Sequence, residues 1–375
     1  MTETVLISGN EAIAYAALHA GCRAYFGYPI TPSSEIMEAM ARELPKADGV
    51  FLQMEDEIAS MAAMVGASWA GAKPMTATSG PGFSLMQENL GLATMLELPC
   101  VIVNVQRSGP STGIPTLGAQ QDTMQAIWGR HGDQTIIVVA PSKLQELYDL
   151  TIRAFNLAEH YRVPAVLLAD GELARVRGEV VLREDLAVEG RRILEAANIS
   201  TPYRAAPDAA PGFPTLGIGA NVLATGLAHD ERGYPTEDLV VNEQLLRRLR
   251  DKILCHVDDI VDYEVKDVLE AEIVFVGYGA AAASVRWAWR ELRERGIKTG
   301  YFVPKTLSPF PDQALAEALA TCKQVVIAEM SLGQVVHLVR EVVGLAMPID
   351  IVSSIGAPID PRRLVDVALH KSQGQ

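Results

Sequence analysis

The chain has 375 residues, is 49% hydrophobic and carries a formal net charge of -14 at neutral pH. That length accommodates two domains with a large core, and the acidic balance excludes nucleic acid from the expected partners. Its four cysteines, Cys22, Cys100, Cys255 and Cys322, share no C-x-x-C spacing, which argues against an iron–sulfur cluster or structural zinc held by this chain alone, and against a disulfide framework.

The opening MTETVLISGNEAIAYAALHAG lacks the basic flank and long apolar run of a signal peptide. No segment is long and apolar enough to span a membrane, so the expectation is a cytoplasmic protein without a membrane partner. SGNEAIAYAALHAG predicts a helix, opened by a capping box of Ser8 and Glu11 and closed at Gly21. RAYFGY predicts a strand and SSEIMEAMARE a helix. Between them, YPITPSS can cap the helix, with Thr31 as N-cap and Pro32 in the first turn. It can also seat an anion on free backbone N–H groups.

The alternation continues through strand GVFLQ, the Ala-rich helix MEDEIASMAAMVGASWAGA, strand KPMTATS, helix FSLMQENLGLATML and strand PCVIVNV. Strand TIIVVA, a helix from Lys143 to His160 and strand PAVLLAD complete it. Apolar runs of this kind between helices imply a parallel sheet covered on both faces. Residues 201–235 break the pattern with a Pro- and Gly-rich crossing segment. Residues 236–375 restart it, with strands IVFVGYG, TGYFVP, QVVIAEM and IDIVSS between helices. The expected fold is therefore α/β, with a first domain at 1–200, a crossing segment at 201–235 and a smaller α/β domain at 236–375.

Three loops in the first domain share one form: GYPITPSS, TATSGPGFS and NVQRSGPSTGIPT. Each follows a strand expected in the parallel sheet, so all three gather at its carboxyl end, where open α/β folds bind ligands. Arg107 stands at a strand end, as a carboxylate-pairing cation or as an ordinary surface arginine. Glu55, Asp56 and Glu57 open a helix, where dipole compensation suits acids but does not choose among them. Glu57 lies on the stripe of Met61 and Met64. Arg130 and His131, in GRHGD, form a loop tie or a substrate contact. GYGAAAA at Gly277 loosely fits a dinucleotide fingerprint, but the next strand ends TGYFVPK without the acid that fingerprint needs. Nicotinamide binding is rejected, and the glycines are read as allowing close helix–strand packing. A G-D-G string followed by asparagine, the magnesium and diphosphate motif of thiamine enzymes, is absent.

YPITPSSEI, DEIASMAAMVGAS, TATSGPGFSLMQE, NVQRSGPSTGIPT and GRHGD, in this order, resemble the alpha subunit of 2-oxoacid:ferredoxin oxidoreductases. TGLAHDERGYPT, VGYGA, PKTLSPFP and AEMSLGQ extend the resemblance over nearly the whole chain. The pairing of QRSGPSTGIPT with GRHGD is similar to the 2-oxoglutarate branch. The resemblance implies a pyrimidine-type thiamine diphosphate-binding domain followed by a transketolase C-terminal-like domain. It implies a separate beta subunit carrying the Mg2+ and diphosphate motif and a [4Fe–4S] cluster, with thiamine diphosphate shared between the chains. A dimer of alpha–beta pairs is expected, with any gamma and delta parts on separate chains. The implied reaction is reversible, CoA-dependent oxidative decarboxylation of 2-oxoglutarate to succinyl-CoA and carbon dioxide, with electrons passed to ferredoxin. Pyruvate or a branched-chain 2-oxoacid is the alternative substrate, and a non-catalytic interface subunit the alternative role.

By motif, Glu57 resembles the glutamate that hydrogen-bonds the aminopyrimidine ring and favours its imino tautomer. Thr31 and Arg107 resemble the threonine and arginine that meet the 2-oxoacid. Pro29, Ile30, Ser79, Gly80 and Gly82 are expected beside the cofactor with Glu57. Arg130 and His131 are candidates for the second contact that a five-carbon diacid needs.

Overall fold

Strands of the first domain alternate their side chains between two packed layers, and that alternation organises the molecule. In strand Cys100–Ser108 every residue is buried. Val101, Val103 and Val105 join one core, with helices Gly9–His19, Ser34–Glu43 and Leu144–Tyr161. Ile102 joins the opposite core, with helices Glu57–Trp69 and Gly80–Met95. Strand Pro164–Asp170 divides in the same way, Ala165 and Leu167 to one side and Val166 and Leu168 to the other. The structure is a computed structural model that describes residues 3–183, 185–195, 198–214, 216 and 222–372. Residues 215 and 217–221 of the crossing segment lie outside the described residues.

The larger sheet runs in the order Thr306–Ser308, Ile137–Val139, Pro164–Asp170, Cys100–Ser108, Pro74–Thr78, Ala24–Gly27, Val50–Gln53. All neighbours from Ile137–Val139 to Val50–Gln53 are parallel. Their carboxyl ends therefore share one rim. Strand Ile114–Gly118 folds back antiparallel on the end of Cys100–Ser108.

The smaller sheet has the order Tyr263–Lys266, Thr299–Pro304, Ile273–Val276, Gln324–Glu329, Ile349–Ser353. One of its faces packs under helices Ala281–Glu294 and Pro361–Ser372. Its other face contributes Val274, Val276, Val325 and Ile327 to the core that also holds Met61, Phe83 and Leu90. Thr306–Ser308 pairs antiparallel with Ile137–Val139. The two α/β parts thus share a core layer and a strand pairing.

The capping box at Ser8 and Glu11 forms as read, with Ser8 Oγ accepting from Glu11 N and Glu11 accepting from Ser8 N at 2.8 Å. The N-cap reading of Thr31 fails. Ile30 to Ser33 form a turn, closed by Ser33 N donating to Ile30 O at 2.9 Å. The helix starts at Ser34, with Ser33 in the cap position. Thr31 is left exposed at the rim. A further ribbon, Glu3–Ser8 paired antiparallel with Arg177–Leu182, was not expected from the sequence. Among the described residues no helix is long and apolar enough to cross a membrane.

Candidate active site

Three strand ends and one helix start meet at the carboxyl rim of the larger sheet. Strand Ala24–Gly27 delivers Pro29, Ile30 and Thr31, and strand Pro74–Thr78 delivers Ser79, Gly80 and Gly82. Strand Cys100–Ser108 carries Arg107, and the helix after Val50–Gln53 begins at Glu57.

Arg107 is 6% exposed. Its Nη1 donates to the Thr31 carbonyl at 2.9 Å, which locks the first loop to the third strand. Its Nε–H is buried without a partner. Burial pushes its pKa down, while the charges of Asp122 and Glu57 oppose that shift.

Glu57 is 4% exposed, on the first turn of its helix behind the N-cap Asp56. Among the described residues no cation lies within ion-pair distance of it. Burial raises its pKa. The Asp56 charge acts in the same direction, and the Glu57 N–H and Arg107 act against it. A buried acid with a raised pKa and no ion pair is the kind of group that marks a functional site.

Gly82 sits directly under that carboxyl. A Cβ there would lie 2.2 Å from Glu57 Oε1 and 2.3 Å from Thr78 Oγ1, so only glycine lets helix Gly80–Met95 approach this closely. The hydroxyls of Thr78 and Ser79 are buried with no partner. A buried carboxyl without an ion pair, two orphaned hydroxyls and a glycine contact suit a flat heterocycle that offers both a donor and an acceptor. By this test the residues present fit the aminopyrimidine end of thiamine diphosphate.

Beside this group lies a cleft of about 410 Å³, lined by Gly80, Pro81, Arg107, Gly109, Asp122 and Gln334, among others. Asp122 and Gln334 were not singled out from the sequence. Asp122 Oδ2 accepts from Asn104 Nδ2 at 3.0 Å, and Asp122 N donates to Gln106 Oε1 at 3.1 Å. Burial raises the Asp122 pKa, while bonds from Asn104 and the Gly80 N–H, with the Arg107 charge, lower it. Gln334 comes from the second α/β part. Its Oε1 accepts from Met124 N at 2.9 Å and its Nε2 donates to Gln121 O at 2.5 Å. One signal was legible for the neighbours of Asp122. CVIVNVQRS places two amides on one face of an otherwise apolar buried strand.

Arg130 and His131 lie elsewhere. Arg130 folds back on the preceding helix, Thr123–Trp128, donating to the carbonyls of Ala126 at 2.9 Å and Ile127 at 2.6 Å. Burial pushes its pKa down to about 10. It borders a separate cavity of about 600 Å³ against helix Leu239–Leu254. The His131 ring packs over Gly91, where a Cβ would meet its Cε1 at 2.6 Å. Gly91 is about 16 Å along its helix from Gly80. Neither residue lines the cleft that holds Arg107.

GYGAAAA belongs to the contact between the two α/β parts. Gly279 has φ +58°, and a Cβ there would lie 2.4 Å from Asp170 Oδ2 and 2.5 Å from Gln120 Nε2. Asp170 Oδ2 accepts from Ala280 N at 2.8 Å. This close approach serves an inter-domain junction as well as helix–strand packing.

Comparison with known proteins adds the following. The family model described as pyruvate flavodoxin/ferredoxin oxidoreductase, thiamine diphosphate-binding, matches residues 15–248, and that for pyruvate:ferredoxin oxidoreductase core domain II matches residues 271–359. The chain is 49% identical to the 2-oxoglutarate synthase subunit KorA of Methanocaldococcus jannaschii, over 94% of this chain and 95% of that one. It is 46% identical to the KorA subunit of Methanothermobacter marburgensis, over 96% of each chain. Its fold matches the 2-oxoglutarate:ferredoxin oxidoreductase of Magnetococcus marinus, solved with 2-oxoglutarate, coenzyme A and succinyl-CoA bound, at a TM-score of 0.93 and 35% identity. That match covers 98% of this chain and 65% of the solved one.

Proposed function

We propose, for a chain that belongs to the pyruvate flavodoxin/ferredoxin oxidoreductase family, that it acts as the thiamine-binding alpha subunit of a 2-oxoglutarate:ferredoxin oxidoreductase. The observation that carries the site assignment is the Glu57 carboxyl: buried, without a cation and in contact with Gly82, at the rim that also bears Arg107.

In this reading Glu57 hydrogen-bonds the pyrimidine ring nitrogen of thiamine diphosphate. A carboxyl with a raised pKa shares its proton readily with a weakly basic ring nitrogen. Thr78, Ser79, Gly80 and Gly82 form the wall beside the ring, with Pro29 and Ile30 on the facing loop. When bound, thiamine diphosphate supplies the nucleophilic carbon and the electron sink for decarboxylation. Arg107 has a buried, unpartnered Nε–H at the rim, and it receives the carboxylate of the 2-oxoacid. The Thr31 carbonyl holds the guanidinium in place and the exposed Thr31 side chain faces the substrate. Coenzyme A would take the succinyl group and two oxidised ferredoxins one electron each, giving succinyl-CoA, carbon dioxide and a proton.

The same reading assigns Mg2+, the diphosphate and the [4Fe–4S] cluster to a partner beta subunit, in a dimer of alpha–beta pairs. Among the described residues, no group of three or more His, Cys, Asp or Glu side chains is gathered as metal ligands. Any second contact for a five-carbon diacid must come from the cleft or the partner, since Arg130 and His131 do not line the cleft.

The test is anaerobic viologen reduction by the complex copurified through this chain, with coenzyme A and, in turn, 2-oxoglutarate, pyruvate and 2-oxoisovalerate. Strong activity with 2-oxoglutarate alone is expected. Preference for another acid would overturn the substrate, and no activity with any acid, from a complex holding thiamine and intact clusters, would overturn the chemistry.

A further inference from the structure

The cleft beside Glu57 holds an acid that the reaction described above does not use. Asp122 lines the same cavity as Arg107, and no ion pair joins the two among the described residues. Both face the cleft, and the charge of each opposes the shift that burial imposes on the other. The arrangement is built. On the strand that carries Arg107, side-chain alternation sends Asn104 and Gln106 to the face of Ile102 and Arg107 to the other. Asn104 Nδ2 holds the Asp122 carboxylate and Gln106 Oε1 holds its backbone N–H. Gln106 is itself fixed by the Tyr278 hydroxyl, at 3.2 Å from its Nε2. On the far side, Gln334 ties the backbone at Gln121 and Met124, flanking Asp122. Asn104, Gln106 and Tyr278 are fully buried. The acid is thus fixed opposite the arginine by side chains from both α/β parts.

We propose that Asp122 is a counter-charge in the binding cleft, which weakens the hold of Arg107 on the carboxylate of the incoming 2-oxoacid. This rests on the proposed function above. The physical reason lies in the fate of that carboxylate. Its negative charge leaves the group as the carbon–carbon bond breaks. Attraction to Arg107 is then strongest in the ground state and weakest at the transition state. Binding energy of that kind lowers KM without helping turnover. A fixed acid opposite the arginine offsets part of this attraction.

The experiment uses the intact complex and Asp122→Asn, which keeps an oxygen for Asn104 Nδ2 and removes the charge. Calorimetric titration with N-oxalylglycine, an unreactive analogue of 2-oxoglutarate, reads the carboxylate site without turnover. Viologen reduction reads KM and kcat. D122N should tighten analogue binding and lower KM by roughly three- to tenfold, and lower kcat by a similar factor, leaving kcat/KM nearly unchanged. Asp122→Glu, which keeps the charge, should not tighten binding. Unchanged or weaker analogue binding in D122N, with the parent complex active on 2-oxoglutarate, would overturn the counter-charge alone. If D122N fails to fold, D122E carries the test, and tighter binding there would overturn it. A parent complex that neither binds the analogue nor turns over 2-oxoglutarate would overturn the proposed function, and this inference with it.

Discussion

Two buried glutamates lie at opposite ends of the same sheet and in opposite electrostatic states. Glu97 precedes strand Cys100–Ser108, at the amino end, and is fully buried. Arg248 grips it through both oxygens, at 2.9 and 2.7 Å, and Lys252 Nζ adds a bond at 2.9 Å. Arg162 Nε closes the group on the Glu97 carbonyl at 3.0 Å and lies over the Phe213 ring of the crossing segment. Burial alone would raise the Glu97 pKa, but Arg248 and Lys252 outweigh it and hold the carboxyl well below its ordinary range. Glu57, at the carboxyl end, has no ion-pair partner among the described residues, and burial outweighs the opposing influence of its own N–H and of Arg107. A paired buried charge ties elements together. An unpaired one is a cost that folding alone does not justify, and it marks the place where a missing partner belongs.

The same substitution at the two positions should therefore give opposite results. Glu57→Gln should cut turnover by about 10²–10⁴-fold without lowering the thermal midpoint, as read by viologen reduction and thermal unfolding. Glu97→Gln leaves Arg248 and Lys252 buried without their anion. It should cost about 3–5 kcal/mol in denaturant unfolding, while the folded fraction keeps its specific activity. A turnover defect in E97Q larger than in E57Q would break the contrast.

Arg107→Gln removes the cation and keeps a polar group. It should raise KM for the 2-oxoacid by roughly ten- to a hundredfold, the scale of a lost charged hydrogen bond, without lowering kcat. Gly82→Ala forces a methyl onto the Glu57 carboxyl. A roughly tenfold loss of thiamine affinity and a stability cost of about 1–3 kcal/mol are expected, measured by cofactor titration and unfolding.

The smallest effect is the pH dependence. Glu97 has a lowered folded pKa, so its contribution is fully present above the ordinary value of 4.5 and drains away as pH falls below it. E97Q should flatten the acid limb of the stability curve. Glu57 has a raised folded pKa, so its contribution is lost as pH rises above 4.5. E57Q should unfold at a slightly higher temperature than the parent at pH 7, and at the same temperature near pH 4.

Much of this contrast was open to reading in the chain, for physical reasons. Runs such as CVIVNV and PAVLLAD are buried on both faces and read plainly as central parallel strands, and the Ser8–Glu11 box is a local interaction. The ribbon Glu3–Ser8 with Arg177–Leu182 and the pairing of Thr306–Ser308 with Ile137–Val139 depend on partners more than 100 residues away. Short segments of that kind carry no local period. At the site, residue type and loop position pointed to Thr31 and Arg107, which the fold joins directly. They also pointed to Arg130 and His131, because sequence order does not reveal side-chain direction. Arg130 turns its Nη1 and Nη2 onto carbonyls of the preceding helix, Thr123–Trp128. Asp122 and Gln334 escaped notice because the two are brought together only by packing between the two α/β parts.

The most direct test of the role proposed for Glu57 is hydrogen exchange at the thiazolium C2 position of thiamine diphosphate bound to the complex, compared between the parent and E57Q by quenched-flow NMR. Rapid exchange is expected in the parent, and exchange slowed by about 10² or more in E57Q at equal cofactor occupancy. Equal exchange rates in the two proteins would contradict that role.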